Sequence, residues 1–541
     1  MIVRLVLLSS LAAGEGAAPS FFQDVTATSG LAFTLENSPT ASKHLPETMA
    51  GGVAAFDYDG DGQTDIFFTN GAAMPSLVKG EARFHNRLFR NLGGMRFTDV
   101  TNSAGLRGAG YSMAGAAGDF DNDGRTDLFV AGVRHNILYR NLGSGVFEDV
   151  TAKAGIGSGE WSAGGAWLDF DSDGLLDLFV VNYVEWTPDF NRFCGDEARQ
   201  IRVYCHPRLF KGSANRLYRN LGGGRFADVS AASGIAKSIG KGMAAVVADY
   251  DSDGFPDLFV TNDKMPNFLF HNLGNGSFEE VAFASGVALP DTGTDLSAMG
   301  AEFRDVDNNG LPDLGVTALA GETFPLFLNR GAGVFADASH ASRLGRLSRL
   351  YSGWGIGFFD FDNDGWKDIF TANSHVSDRV EAFEATTYRQ ANSVFRNTGR
   401  GTFEDATLLP GERAHRGCAF ADFDGDGRID VVTSSLGDRP ELWRNVSGAA
   451  AGNSWLIVKL TGVKSNRDGI GAVIRAGVQT NHMTSSVGYA SSSHAGVHFG
   501  MGPSKQVDQL EIRWPSGRGL GCLIARGGGR GQGSRRQRSG P

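Results

Sequence analysis

Apolar residues along this chain fall in short runs, and the runs recur in a fixed order. An Ala/Gly-rich stretch such as Gly52-Val53-Ala54-Ala55-Phe56 leads into an acidic turn, and the turn leads straight into a second run, Ile66-Phe67-Phe68. A third run ends in Arg-Asn or a variant (Leu88-Phe89-Arg90-Asn91), and a fourth has the form Phe-x-Asp-Val, from Phe97 to Val100. Short runs rich in Phe, Val and Leu, bounded by Gly, Asp and Asn, predict β-strands. The acidic turn starts at Asp57, Asp119, Asp169, Asp249, Asp305, Asp360 and Asp422, at intervals of 50 to 80 residues, the period of a repeat array. Four antiparallel strands per repeat around an axis predict an all-β fold, a seven-bladed β-propeller.

The ends of the array predict how the ring closes. The third-strand signature ends at Asn91, Asn141, Asn220, Asn272, Asn329, Asn397 and Asn445, and no Phe-x-Asp strand follows the last. One stands instead near the start, in Phe22-Gln23-Asp24-Val25. Residues 21–26 are therefore expected to complete the last blade, leaving no sheet edge to pair with another chain.

The turn itself carries chemistry. Its pattern, Asp-x-Asp-x-Asp/Asn-Gly-x-x-Asp, offers carboxylates at positions 1, 3, 5 and 9, a free carbonyl at 7 and a Gly at 6 for the sharp bend. Such an oxygen cage suits a hard cation, Ca²⁺ above all. The candidate ligands are Asp57, Asp59, Asp61 and Asp65; Asp119, Asp121, Asp123 and Asp127; Asp169, Asp171, Asp173 and Asp177; Asp249, Asp251, Asp253 and Asp257; Asp305, Asp307, Asn309 and Asp313; Asp360, Asp362, Asp364 and Asp368; and Asp422, Asp424, Asp426 and Asp430. An EF-hand is excluded, because position 9 is Asp, no Glu closes the loop at position 12, and a strand rather than a helix follows. Up to seven structural Ca²⁺ are expected, bound most weakly at the fifth turn, where neutral Asn309 stands at position 5.

Charge follows from this. The formal net charge is −10, and seven divalent ions would reverse it, so the acidity reads as a metal-binding feature rather than a field for cationic partners.

At the N-terminus, Met1 to Arg4 is short and basic, Leu5 to Ala13 is apolar, and Gly16-Ala17-Ala18 is small. A signal peptide over residues 1–18 is expected, and with no later apolar run long enough to span a bilayer a secreted or periplasmic location follows. Cys194 and Cys205 lie together in the insertion that lengthens the third interval, and are expected to form a disulfide in an oxidising compartment. The insertion, with Trp186, Phe193, Tyr204 and His206, is expected to project from one end of the ring as a ligand-contacting loop.

The entry motif, the acidic turn and the Phe-x-Asp-Val strand resemble the FG-GAP/VCBS repeats of integrin α-chain propellers, over residues ~21–446. Leu45-Pro46-Glu47-Thr48-Met49-Ala50-Gly51-Gly52, Ser352-Gly353-Trp354-Gly355 and Asn373-Ser374-His375-Val376 resemble repeat-specific segments of the bacterial cartilage acidic protein family. Ser465-Asn466-Arg467-Asp468-Gly469-Ile470-Gly471-Ala472, His498-Phe499-Gly500-Met501-Gly502 and Trp514-Pro515-Ser516-Gly517 are similar to its C-terminal ASPIC/UnbV domain. The resemblance implies a propeller over 19–446 and a small β domain over 453–517. That domain is expected to be incomplete, because the pattern stops at Gly517, and the Gly/Arg-rich tail 518–541 is expected to be disordered.

No His-Glu-x-x-His, Gly-x-Ser-x-Gly or Walker motif is present, and a carboxylate that coordinates Ca²⁺ is held ionised and cannot serve as a general acid. The sequence therefore points to an extracellular binding or adhesion scaffold for a protein or glycan. An exported polysaccharide hydrolase or lyase is the alternative, with Glu47, His44 and His375 gathered at the ring mouth. A lesser alternative is nucleic-acid binding through the Arg/Gly tail.

Overall fold

The computed structural model describes residues 21–157, 159–190, 192–447, 452–517 and the backbone of 519–526 and 529–531; the expected signal peptide, 1–18, lies outside them. Among the described residues, seven sheets, each containing four consecutive antiparallel strands, make up most of the chain. Their first strands are Val53–Phe56, Tyr111–Gly118, Ser162–Leu168, Gly242–Ala248, Ala301–Arg304, Gly353–Phe359 and His415–Ala421. Each of these touches the next, and the seventh touches the first, so the sheets close a ring around an axis. Phe22–Asp24 pairs antiparallel with Glu441–Asn445, Phe22 opposite Asn445 and Asp24 opposite Trp443. The N-terminal strand is thus the fourth strand of the seventh sheet, and Phe22 packs edge-on against Phe361 and Phe370.

Neighbouring sheets are tied by the Asn that ends every third strand. The Nδ2 of Asn91, Asn141, Asn220, Asn272, Asn329, Asn397 and Asn445 donates to the position-2 carbonyl of the preceding sheet's acidic turn: Phe423, Tyr58, Phe120, Phe170, Tyr250, Val306 and Phe361, at 2.8–3.0 Å. The same amide donates to its own turn, as from Asn91 to the Thr64 carbonyl at 3.0 Å. Its Oδ1 accepts from the backbone two residues on, as from Gly93 at 2.8 Å. All seven side chains are at most 3% exposed, so each is a saturated buried amide that no other residue replaces without orphaning carbonyls.

The C-terminal region is not a separate appendage. Its hairpin, Ser486–Val487 and Ser491–His494, extends the first sheet to six strands, with Ser491–His494 parallel to Val53–Phe56. The hairpin runs into the channel and touches the first strand of every sheet. Its serines accept hydrogen bonds from the ring: Val53 N–H to Ser491, Ala117 N–H to Ser492 and Phe420 N–H to Ser493, at 3.3, 3.2 and 2.9 Å. Gly488 and Ala301 exchange two backbone bonds. Gly488 has φ 57°, and a Cβ there would meet the Ile356 backbone at 2.6 Å, so only glycine fits. The boundary expected between 446 and 453 is crossed by these strands.

The expected disorder from residue 518 is corrected for two segments. Gly519–Arg526 pairs antiparallel with Gln506–Arg513, and Gly529–Gly531 runs parallel to Ser454–Val458. Leu520, Cys522 and Ile524 alternate with other residues at strand period, and the register sets Leu520 opposite Ile512 and Cys522 opposite Leu510. A composition rich in Gly and Arg hid that alternation. Residues 532–541 lie outside the described set. Among the described residues no helix is long and apolar enough to cross a membrane.

Replacing one clamp, Asn220→Ala, leaves two buried carbonyls unpaired and is expected to cost on the order of 2–4 kcal/mol, read by chemical denaturation; a cost near zero would show the clamp to be dispensable. Deleting residues 19–27 bares the edge at Glu441–Asn445 and is expected to cause aggregation by light scattering, whereas a soluble deletion protein of wild-type stability would contradict the closure.

Candidate metal centres

Each acidic turn is held by its own first and last Asp. Asp57 accepts from Gly60 N–H and Gly62 N–H, both at 2.8 Å. Asp65, at position 9, accepts from Asn91 N–H at 2.7 Å and Tyr58 N–H at 3.0 Å. The last turn repeats this scheme, with Asp422 accepting from Gly427 N–H and Asp430 from Asn445 and Phe423 N–H. Two residues per turn lie in the left-handed region: the Gly at position 6, and position 4, where Gly60, Asn122, Ser172, Ser252, Asn308, Asn363 and Gly425 stand. Gly, Asn and Ser at position 4 are thus a second signature of the turn. Asn122 and Asn308 also donate to the position-6 carbonyl of the next turn, Gly174 and Gly365.

The structure brings carboxylate oxygens within 4.8 Å of one another in Asp57/Asp59/Asp61, Asp119/Asp121/Asp127, Asp169/Asp171/Asp177 and Asp249/Asp251/Asp257. Burial, reinforced by neighbouring carboxylates, pushes Asp65 and Asp313 up to about 8, and Asp119 and Asp169 to about 7. Buried oxygens of Asp121, Asp169, Asp171, Asp249 and Asp362 have no hydrogen-bond partner. Clustered, desolvated and partly unpaired carboxylate oxygens are the donor set a divalent cation would satisfy, and these residues fit one.

The third-strand Arg before the clamp Asn has a role the sequence reading missed. Arg90 meets Asp59 at 2.7 Å and Asp61 at 3.1 Å, and Arg140, Arg219, Arg396 and Arg444 hold positions 3 and 5 of their turns in the same way. In the fourth turn His271 replaces it, 3.4 Å from Asp251 and 3.3 Å from Asp257, and is raised to about 9 by its bond to Asp257. The acidity is therefore shared between side-chain cations and any ion, which revises the charge argument. The repeated Arg-Asn dipeptide was the available signal. The fifth turn has Leu328 there, with Arg330 only 4.0 Å from Asp307. Its Asn309 keeps the turn by accepting from Leu311 N–H and donates to the Asn329 carbonyl.

The C-terminal region covers this face. Asp468 accepts from Asp119 N–H at 2.8 Å, Arg467 N–H donates to Asn122 at 2.7 Å, and Arg513 pairs with Asp249.

At the opposite end of the ring, His44 and Glu47 share one 3₁₀ turn, Leu45–Thr48, as a capping pair. Glu47, fully buried, accepts from Thr40 N–H and Oγ1, His44 N–H and the Tyr204 hydroxyl. His375 accepts from Ser377 N–H at 3.0 Å, and burial lowers its basicity. Cys194 and Cys205 are joined by a disulfide. The bridged insertion does not project. It lies back across the mouth, where Tyr204 reaches Glu47, Lys43 stacks on Tyr204 and pairs with Asp378, and Arg199 donates to the Ala382 carbonyl. Glu47 and His375 are thus engaged in holding the mouth's own loops, whereas His44 contributes its backbone N–H and keeps a buried Nδ1 without a hydrogen-bond partner.

Residues 57–130, 119–180, 209–260, 249–316, 305–371 and 380–433 match the FG-GAP-like repeat, and residues 462–519 match the family described as ASPIC and UnbV. Cartilage acidic protein 1 of Mus musculus is 26% identical over 314 residues, covering 55% of this chain and 45% of that protein. Its Homo sapiens counterpart is 27% identical over 315 residues, covering 56% and 44%. The chain spans less than half the length of these relatives. A solved structure of an Agrocybe aegerita lectin, titled for recognition of non-reducing terminal N-acetylglucosamine, aligns with 76% of this chain and 92% of its own at 16% identity and a TM-score of 0.37, too distant to bear on function. With repeats matched across most of its length and an ASPIC and UnbV region after them, the chain belongs to the FG-GAP-like repeat family and is homologous to cartilage acidic protein 1.

Proposed function

We propose that this protein is an extracellular, calcium-stabilised propeller that serves as a binding scaffold for a protein or glycan. The observation that carries the reading is the set of acidic turns, whose convergent, desolvated carboxylate oxygens sit where adjoining sheets meet. The candidate Ca²⁺ ligands are the 1, 3, 5 and 9 positions of the turns at Asp57, Asp119, Asp169, Asp249, Asp305, Asp360 and Asp422. Calcium at those positions would stiffen the ring without chemistry of its own. Export through a leader at 1–18 would supply both the ion and the oxidising conditions for the Cys194–Cys205 bridge. The hydrolase or lyase alternative needs Glu47, His44 or His375 free to reach a substrate; all three are buried, and the engagement of Glu47 and His375 in holding the mouth favours the scaffold. Purified protein probed on glycan and extracellular-protein arrays tests the reading: a saturable ligand supports it, and turnover of a polysaccharide without stable binding would replace it.

Calcium is expected to raise the melting temperature over EDTA, and the gap to widen with pH. Carboxylates whose folded pKa is raised bind more protons folded than unfolded. Their stabilisation is complete below about pH 4 and is lost as pH rises through about 7–8. Calcium holds them ionised and offsets that loss, so EDTA should cost most at pH 8 and least at pH 5. With Kd of roughly 10⁻⁴–10⁻³ M, each site adds on the order of 0.4–1.4 kcal/mol at millimolar calcium. Calorimetric melts at the two pH values measure this, and an EDTA effect independent of pH would sink it.

Asn309→Asp adds a fourth carboxylate to the fifth turn and is expected to strengthen the weakest class in a calcium titration. An unchanged weakest class would mean that turn geometry rather than ligand charge sets the affinity.

A further inference from the structure

We propose that the fourth acidic turn is a zinc site, in which the imidazole of His271 completes a mixed nitrogen and oxygen donor set that the other turns lack. The proposal rests on the reading of the turns as metal centres and departs from it in the metal that one of them takes.

In five of the seven sheets the residue before the clamp Asn is Arg90, Arg140, Arg219, Arg396 or Arg444. A guanidinium has five donors and no acceptor, so it can neutralise a metal's ligands but cannot join them. The fourth sheet places His271 there, in the strand Phe268–Asn272. A neutral imidazole carries a lone pair, and a nitrogen ligand moves the preference of a site from Ca²⁺, which takes oxygen, toward Zn²⁺ and its first-row neighbours.

The spacing of the donors agrees with that chemistry. His271 Nδ1 lies 3.4 Å from Asp251 Oδ2 and 3.3 Å from Asp257 Oδ1, whereas the five Arg meet the position-3 carboxylates of their turns at 2.6–2.9 Å. Charge-assisted N–H···O bonds close to ~2.7–2.9 Å, while two donors that share a tetrahedral Zn²⁺ at ~2.0–2.1 Å stand ~3.3–3.4 Å apart. The imidazole is spaced as a co-ligand of these carboxylates. Ligand atoms of Asp251, Asp253 and His271 all fall within 4.8 Å of one another. Backbone bonds orient the carboxylates: Asp251 Oδ1 accepts from Asp253 N–H at 3.2 Å, Asp253 Oδ1 from Phe255 N–H at 2.8 Å, and Asp257 Oδ1 from Asn272 N–H at 2.8 Å. Tyr250 packs edge-on against the His271 ring at 6.1 Å and fixes its plane. Without metal the imidazole acts as the turn's cation, and zinc would take the place of its proton.

An independent observation points the same way. Asp249, with a side chain only 7% exposed, gives its Oδ2 to Gly254 N–H and Arg513, while its Oδ1 is buried without any hydrogen bond. The same residue converges with Asp251 and Asp257 within 4.8 Å. The C-terminal region thus claims one oxygen of Asp249 and leaves the other for an ion held between Asp251, Asp257 and His271.

Zinc titration of the full chain in millimolar calcium is expected to show one tight zinc equivalent per chain. His271→Arg restores the residue that five other sheets carry, and should weaken that equivalent by more than the ~10–100-fold that loss of an outer-shell partner costs. Crystals grown with both ions, measured on either side of the zinc absorption edge, should place zinc within ~2.0–2.2 Å of His271 Nδ1 and of the turn's carboxylates. Unchanged zinc affinity in His271→Arg would overturn the proposal. Calcium rather than zinc in the fourth turn would also overturn it and leave the calcium reading of the ring intact, whereas seven turns empty of both ions would overturn the two together. If the variant does not fold, the wild-type crystal decides.

Discussion

Seven buried asparagine side chains hold this ring together, and the rest of the architecture follows from them. Each carboxamide bonds forward to its own turn and backward to the turn of the preceding sheet, the first reaching the last through Asn91 and the Phe423 carbonyl. Because the amide is planar and both its ends are occupied, it fixes the spacing and tilt of adjacent sheets as well as their contact. The acidic turns are positioned by the same groups, since the backbone N–H of every clamp Asn is capped by the position-9 Asp. Turn geometry and ring geometry are therefore one problem: a shift in a turn's last carboxylate moves the clamp to its neighbour.

Much of this was legible in the sequence because it repeats. The strand order, the seven turns and the displaced Phe22 strand could be read by comparing one unit with the next, and the structure places Phe22–Asp24 where that comparison expects. The hairpin was illegible because it occurs once. No repeat marks Ser491, Ser492 and Ser493, and only the ring shows that they accept from backbone N–H groups of its inner strands. The Arg partners of positions 3 and 5 were visible as part of a repeated dipeptide but not as counter-charges, since a strand's sequence does not reveal which turn it borders. Gly519–Arg526 was misjudged for the opposite reason: composition was weighed above a two-residue alternation.

The two ends of the axis are closed by different means. On the side of the acidic turns, the C-terminal region lays Asp468, Arg467 and Arg513 onto the turns and sends its hairpin inward. At the other end, a disulfide-bridged insertion from the third sheet reaches across to the segments of His44 and Ala382. Neither closure belongs to the repeat, so the features that distinguish this ring from a plain array lie in single-copy segments. Recognition of a ligand by the outer surfaces would leave both closures in place.

The hairpin also sets a timetable. Residues 484–494 are made after every strand of the ring, and Phe22 waits for its partner near Asn445, so synthesis at ~5–20 residues per second separates the first ring strand from the last axial one by on the order of a minute. Until then the inner strands have no occupant for the channel, and their N–H groups face water or a chaperone. Vectorial, sheet-by-sheet maturation during translation cannot reach the final state. The finished channel therefore waits for the last-made segment that fills it.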